Sequence, residues 1–185
     1  MIELLEGAFA STGAHIAKVT PADLDRSTPC SKWIVRDLLN HTTGVVVRFG
    51  AAASRTESPY GPDHDFVGTD PAAAFDQAAK ATLQAWSQPG AFEGMTKLSG
   101  GFELPAQAAA NINFLDTLIH GWDVAKAIGD DPTIDPALAT AAYDVAQQAL
   151  KDRPRGPDHP FMPALPAPAD ASPTDRLVAF MGRQP

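Results

Sequence analysis

The chain has 185 residues, 44% hydrophobic and 19% charged, with a formal net charge of −8. Such a length supports one domain with a substantial core, and the composition is ordinary for a soluble globular protein. An acidic surface repels phosphate backbones and anionic lipids, which argues against nucleic acid and membrane as partners.

Residues 2 to about 19 place Ile2, Leu5, Phe9, Ala10, Gly13 and Ile16 at steps of three and four, the pattern of an amphipathic helix. This opening has Glu3 and Glu6 and no basic segment, so it does not read as a signal peptide. VTPADLDRSTPC is a connecting loop carrying Cys30, the single cysteine, so neither an intrachain disulfide nor a cysteine-based zinc cluster is available. Ser31 is the expected N-cap of a second helix running to about Ser54, with His41 near its middle.

Residues 55–69 read as loop, and Asp70-Pro71 opens a third helix that Pro89-Gly90 closes. MTKL and FEL around Ser99-Gly100-Gly101 predict a small hairpin. Pro105 opens a fourth helix, which Gly129 and Pro132 stop at about Ile128. Asp135-Pro136 starts a fifth, to about Leu150. Residues 151–185 hold eight prolines, predicting an irregular tail packed along the body, with PTDRLVAFMGR as a final short helix. No repeat or composition break marks a boundary. The expectation is one all-α domain over residues 1–185: a four-helix bundle with an extra helix and a Pro-rich tail. No apolar run approaches the roughly 20 residues of a spanning helix, and the chain reads as cytoplasmic.

The chemistry concentrates in NFLDTLIHGWDVAKAIG, residues 113–129. Asp116 and His120 are four residues apart, one turn above the other on one helix face. A carboxylate and an imidazole stacked this way can share a metal ion, and His41 in SKWIVRDLLNHTTG is the best third ligand. The plain alternative is a surface i,i+4 pair worth a few tenths of a kcal/mol. Against it, Leu115, Leu118, Ile119 and Trp122 make this helix apolar nearly all round, and charged groups in such a helix are costly to bury without a partner. Two imidazoles and a carboxylate suit zinc, nickel or iron and leave coordination positions open for water or substrate.

TPCSKWIVRDLLNH, followed about 70 residues later by DTLIHGWDVAKAIG, resembles the actinobacterial branch of the DinB/YfiT-like superfamily, related to the N-terminal domain of mycothiol-dependent maleylpyruvate isomerase. The resemblance spans nearly the whole chain, including the DRLVAFMGR ending. It implies an up-down-down-up four-helix bundle and a divalent metal held by His41, Asp116 and His120; from the ligand types, zinc or nickel is the expected ion. The isomerase has Glu where this chain has Asp116, and a separate C-terminal domain for which this chain is expected to have no room. The implied activity is a metal-dependent transferase or isomerase joining a low-molecular-weight thiol of the mycothiol type to a small electrophile. Hydrolysis by metal-activated water, or a non-catalytic metal-binding or sensing module formed as a homodimer, are the alternatives.

Other residues carry weaker expectations. Asp37, one turn before His41, would either hold that imidazole or favour its helix start. Asp123, three residues after His120, could hold the ligand histidine, but a structural role is the stronger expectation. Trp33 and Trp122 are expected in the core rather than as pocket walls. Arg48, on nearly the face of His41, would bind a substrate carboxylate or lie in solvent. Cys30 precedes a helix start, where a dipole can activate a thiol, but a buried, inert thiol is the commoner case. His15, His64 and His159 have no partner at useful spacing.

Overall fold

Prolines and short polar caps set most of the helix starts. Asp70 accepts the Ala73 N–H at 2.9 Å ahead of α3 (Pro71–Trp86). Asp135 accepts those of Ala137 and Leu138 ahead of α5 (Pro136–Leu150). Ser172 accepts that of Asp175 ahead of α6 (Pro173–Phe180). Each cap satisfies donors that the first helical turn leaves open, worth about 1 kcal/mol, and proline at the first position loses no hydrogen bond. At the far end of α4 (Ala106–Ile128), Gly129 takes φ 76°, the left-handed conformation that favours glycine, and the Asp130 N–H closes on the Ala125 carbonyl at 2.9 Å.

This computed structural model describes residues 1–58, 60, 61, 64–98, 100–156, 159 and 161–185. Before α3 lie α1 (Ile2–Ile16) and α2 (Val35–Ala53). β1 (Met95–Lys97) pairs antiparallel with β2 (Glu103–Pro105), Thr96 opposite Leu104. The hairpin is where its sequence placed it, although Ser99 of the expected turn lies outside the described residues.

The start of α2 differs from expectation. Ser31 does not cap it; the helix begins at Val35. The preceding residues are held in a turn, in which the Trp33 N–H reaches the Cys30 carbonyl at 2.8 Å and the Thr28 hydroxyl donates to the Trp33 carbonyl at 2.9 Å. Asp37 then accepts the Ile34 N–H at 3.1 Å, so this carboxylate serves the helix start. α1 likewise stops at Ile16, short of the expected residue 19.

The chain forms two compact units, Met1–Asp131 and Pro132–Pro185. In the first, α1 and α4 run the same way, since Thr12 meets Thr117 and, further along both, His15 meets Asp130 just past the end of α4. α2 and α3 also share a direction, with Thr82 donating to the Val46 carbonyl at 2.9 Å. Gly13, late in α1, faces Phe75, early in α3, a Cβ added there lying 3.5 Å from the Phe75 ring, so those two are antiparallel. Arg26, just before α2, reaches the Ile128 carbonyl at the end of α4, so α2 runs against α4. The result is an up-down-down-up bundle, as the sequence led us to expect.

α4 is its centre: Ala109, Ala110, Phe114, Val124 and Ala125 are fully buried. Glycines permit the closest approaches. A Cβ added at Gly121 would lie 2.3 Å from Thr12 Oγ1, and one at Gly50 would lie 2.5 Å from Thr82 Oγ1. Trp86 Nε1 donates to Asn113 Oδ1 at 3.2 Å, a pairing that offsets the cost of removing these two buried groups from water.

In the second unit, α5 and α6 pack together through Tyr143 against Phe180. The tail ties to them through backbone rather than side chains alone: the Leu165 N–H donates to the Ala179 carbonyl at 2.8 Å. Among the described residues no helix is long and apolar enough to cross a membrane.

Candidate metal centre

Two antiparallel helices bring the expected residues together. The 3.6-residue period stacks Asp116 under His120 on α4, and α2 presents His41 opposite them. His41 Nε2 lies 3.7 Å from Asp116 Oδ2, and His120 Nε2 lies 3.7 Å from Asp116 Oδ1. The imidazoles meet edge to face, centroids 4.9 Å apart. One ligand atom from each of the three lies within 4.8 Å of the others. Ligands of a tetrahedral zinc with bonds near 2.0–2.1 Å stand roughly 3.3 Å apart, so a cation would draw each histidine nitrogen closer to Asp116 by about 0.4 Å.

The site is buried on one side and open on the other. The His41 and Asp116 side chains are 29% and 27% exposed, whereas His120 is buried. Trp33 covers the imidazoles, its ring 4.5 Å from that of His41 and 5.8 Å from that of His120. It therefore belongs to the site, contrary to the core role expected of it. Trp122 is buried under Lys126, as a core tryptophan would be.

Behind His120 stands a second layer that spacing only hinted at. His120 Nδ1 donates to Asp123 Oδ2 at 2.9 Å, because an ionised carboxylate can only accept. Cys30 Sγ donates to the same oxygen at 3.3 Å. Asp123 is fully buried, and its carboxylate fixes the tautomer that leaves His120 Nε2 facing His41 and Asp116. The stronger expectation for Asp123 was structural; its contacts instead tie it to the candidate ligand. Burial pushes the His120 pKa down, but the Asp116 charge, the Asp123 hydrogen bond and Cys30 outweigh it and hold it at about 10.

Cys30, His120 and Asp123 form a second group of three donors within 4.8 Å. Here the atoms are already joined by hydrogen bonds, which a cation would have to break. His41, Asp116 and His120 are the better candidate.

Arg48 reaches toward the same centre. Its guanidinium folds back over Gly44, where an added Cβ would lie 3.1 Å from Arg48 Nη1 and 2.9 Å from the Phe66 ring. Asn40 places Phe66 there by accepting its N–H at 2.6 Å and that of Val67 at 3.1 Å. Burial lowers the Arg48 pKa and the Asp116 charge raises it. His15 is held by Asp130 at 2.7 Å, a partner 115 residues away that no local spacing could reveal. His64 stacks on Tyr60. His159 gains no role.

Residues 5–125 match the family profile described as the Mycothiol maleylpyruvate isomerase N-terminal domain, and the chain belongs to that family, within the DinB/YfiT-like superfamily. It is 35% identical over 179 residues to two uncharacterized proteins of Mycobacterium tuberculosis, Rv0738 and MT0763, covering 96% of this chain and 93% of each of them. No solved structure matches it.

Proposed function

We propose, from membership of the mycothiol maleylpyruvate isomerase N-terminal domain family, that this protein binds a divalent metal through His41, Asp116 and His120. We infer further that it is a transferase or isomerase joining a low-molecular-weight thiol, mycothiol by family, to an electrophilic carbon of a small substrate. The observation that carries the reading is the convergence of two imidazoles and one carboxylate from two helices on one open-sided point, with the far nitrogen of His120 already tied to Asp123. Two nitrogens and one carboxylate oxygen favour zinc or nickel over calcium or magnesium, which prefer oxygen donors.

Such a metal lowers the pKa of a bound thiol or water, so that a nucleophile exists at neutral pH. The chain's own residues do the rest. Asp123 keeps the Nδ1 proton on His120, and Trp33 shields the imidazoles from bulk water on one side. His41 and Asp116, part exposed, mark the face from which substrate enters.

Elemental analysis of wild type, His41→Ala and His120→Ala tests the metal assignment, with near-stoichiometric zinc or nickel expected in wild type alone. Unchanged metal content in His120→Ala overturns it. Mycothiol addition to model electrophiles tests the reaction: turnover that needs no thiol moves the protein to the hydrolases. Metal without any turnover leaves a binding or sensing module.

A further inference from the structure

One short turn ahead of α2 touches the candidate centre from two sides. Ser27 pairs antiparallel with Ile34, and the Val35 N–H reaches the Arg26 carbonyl at 3.0 Å, so residues 27–34 close onto the start of α2. Inside that loop the Thr28 hydroxyl accepts the Cys30 N–H at 3.1 Å and donates to the Trp33 carbonyl at 2.9 Å. A single hydroxyl therefore joins the backbones of two residues whose side chains reach the histidines or the carboxylate behind them.

The two side chains act in different ways. Asp37, the carboxylate that spacing offers to His41, accepts the Ile34 N–H instead. The Trp33 ring packs on the His41 ring at 4.5 Å. A large planar side chain limits how an imidazole can turn, and so fixes where His41 Nε2 points. Cys30 works on the opposite helix. Its Sγ shares Asp123 Oδ2 with His120 Nδ1, at 3.3 Å and 2.9 Å. Each donor to an ionised carboxylate stabilises its charge and leaves it a weaker acceptor for the others. A thiol is a weak donor, so Cys30 gives the fully buried Asp123 a partner and leaves most of its pull to the His120 proton. That pull makes His120 Nε2 a stronger ligand.

We propose that the Thr28–Trp33 turn is the positioning element of the metal centre, Trp33 orienting His41 and the Cys30 thiol setting, through Asp123, the donor strength of His120. The proposal rests on the metal reading. Cys30 serves in it as a hydrogen-bond donor, not as a ligand or a nucleophile. Thr28 acts on both histidines at one remove, by holding the backbone that carries Cys30 and Trp33.

Five variants test it, circular dichroism confirming that each folds. Cys30→Ala removes the donor to Asp123, and Cys30→Ser replaces it by a stronger one. In proton NMR of metal-free protein, the His120 Nδ1–H resonance is identified by its loss in His120→Gln. It should move downfield in Cys30→Ala and upfield in Cys30→Ser, as its bond to Asp123 strengthens or weakens. A side chain that only fills space would shift both variants the same way or neither, and that result overturns the role of Cys30. Thr28→Val keeps the shape and loses the hydroxyl, so zinc affinity, read by competition with a chelator, should fall about tenfold or more. Thr28→Ser should stay within about threefold of wild type, because the hydroxyl is kept. Trp33→Leu should likewise cost about tenfold. Wild-type zinc affinity in Thr28→Val overturns the turn as positioning element, and in Trp33→Leu it overturns the orientation of His41. If wild type takes up no zinc, the metal reading has failed. The opposite resonance shifts of the two Cys30 variants then still decide whether the thiol acts through Asp123.

Discussion

Replacing Asp123 by Asn would keep the side-chain shape and an acceptor for the His120 Nδ1–H, and remove only the charge. Asp123 raises the His120 pKa through its hydrogen bond and again through its charge, alongside Asp116. In wild type, a metal must displace a proton held with a pKa of about 10. The logarithm of zinc affinity should therefore climb by about one per pH unit between about pH 7 and about pH 9, roughly 100-fold in all. In Asp123→Asn the proton is held less tightly, so this slope flattens. The imidazole is also a weaker donor, so zinc binding at the alkaline end falls by roughly 10- to 100-fold. The two variants thus differ most at high pH and converge toward neutrality. Competition with a chromophoric zinc chelator across this range reads both slopes. A flat wild-type slope, or parallel slopes in the two proteins, would refute the account of how His120 is held.

The same proton makes a prediction for the metal-free protein. The folded pKa of His120, about 10, lies above the unfolded value of roughly 6.5. Its contacts with Asp116 and Asp123 therefore contribute fully below about pH 6.5, and that contribution is lost as pH rises toward about 10. Urea melts of metal-free wild type should show stability falling through this window relative to His120→Gln; a constant difference would count against it. In the core, Gly121→Ala puts a Cβ 2.3 Å from Thr12 Oγ1 and 3.1 Å from Thr12 Cα, a backbone atom that cannot swing away. We expect a loss of about 1–3 kcal/mol and a fall in melting temperature of several degrees. Gly61→Ala, with none of the described residues within 4 Å of the added Cβ, should barely change it, and equal effects would show that α1 and α4 are not tightly apposed.

Much of this protein was legible along the chain because the governing interactions are local. Asp70-Pro71, Asp135-Pro136 and Gly129 fix helix ends through groups within three or four residues, and the helical period alone stacks Asp116 under His120. Where expectation failed, the deciding contact came from elsewhere or from a competing local bond. α2 starts at Val35 rather than after Ser31 because the Thr28 hydroxyl and the Asp37 carboxylate hold the preceding turn.

Tertiary structure decided the rest, for the same physical reason throughout: side chains far apart in sequence acquire their meaning only when helices pack. Nothing along the chain joins His41 to Asp116; α2 running against α4 sets its Nε2 3.7 Å from that carboxylate. Trp33 became a cover for two imidazoles, and Cys30 a donor to an aspartate 93 residues away. Gly44 left the gap in which Arg48 lies beside Phe66. Sequence set the helices and the types of donor atom; packing chose which of those atoms face one another.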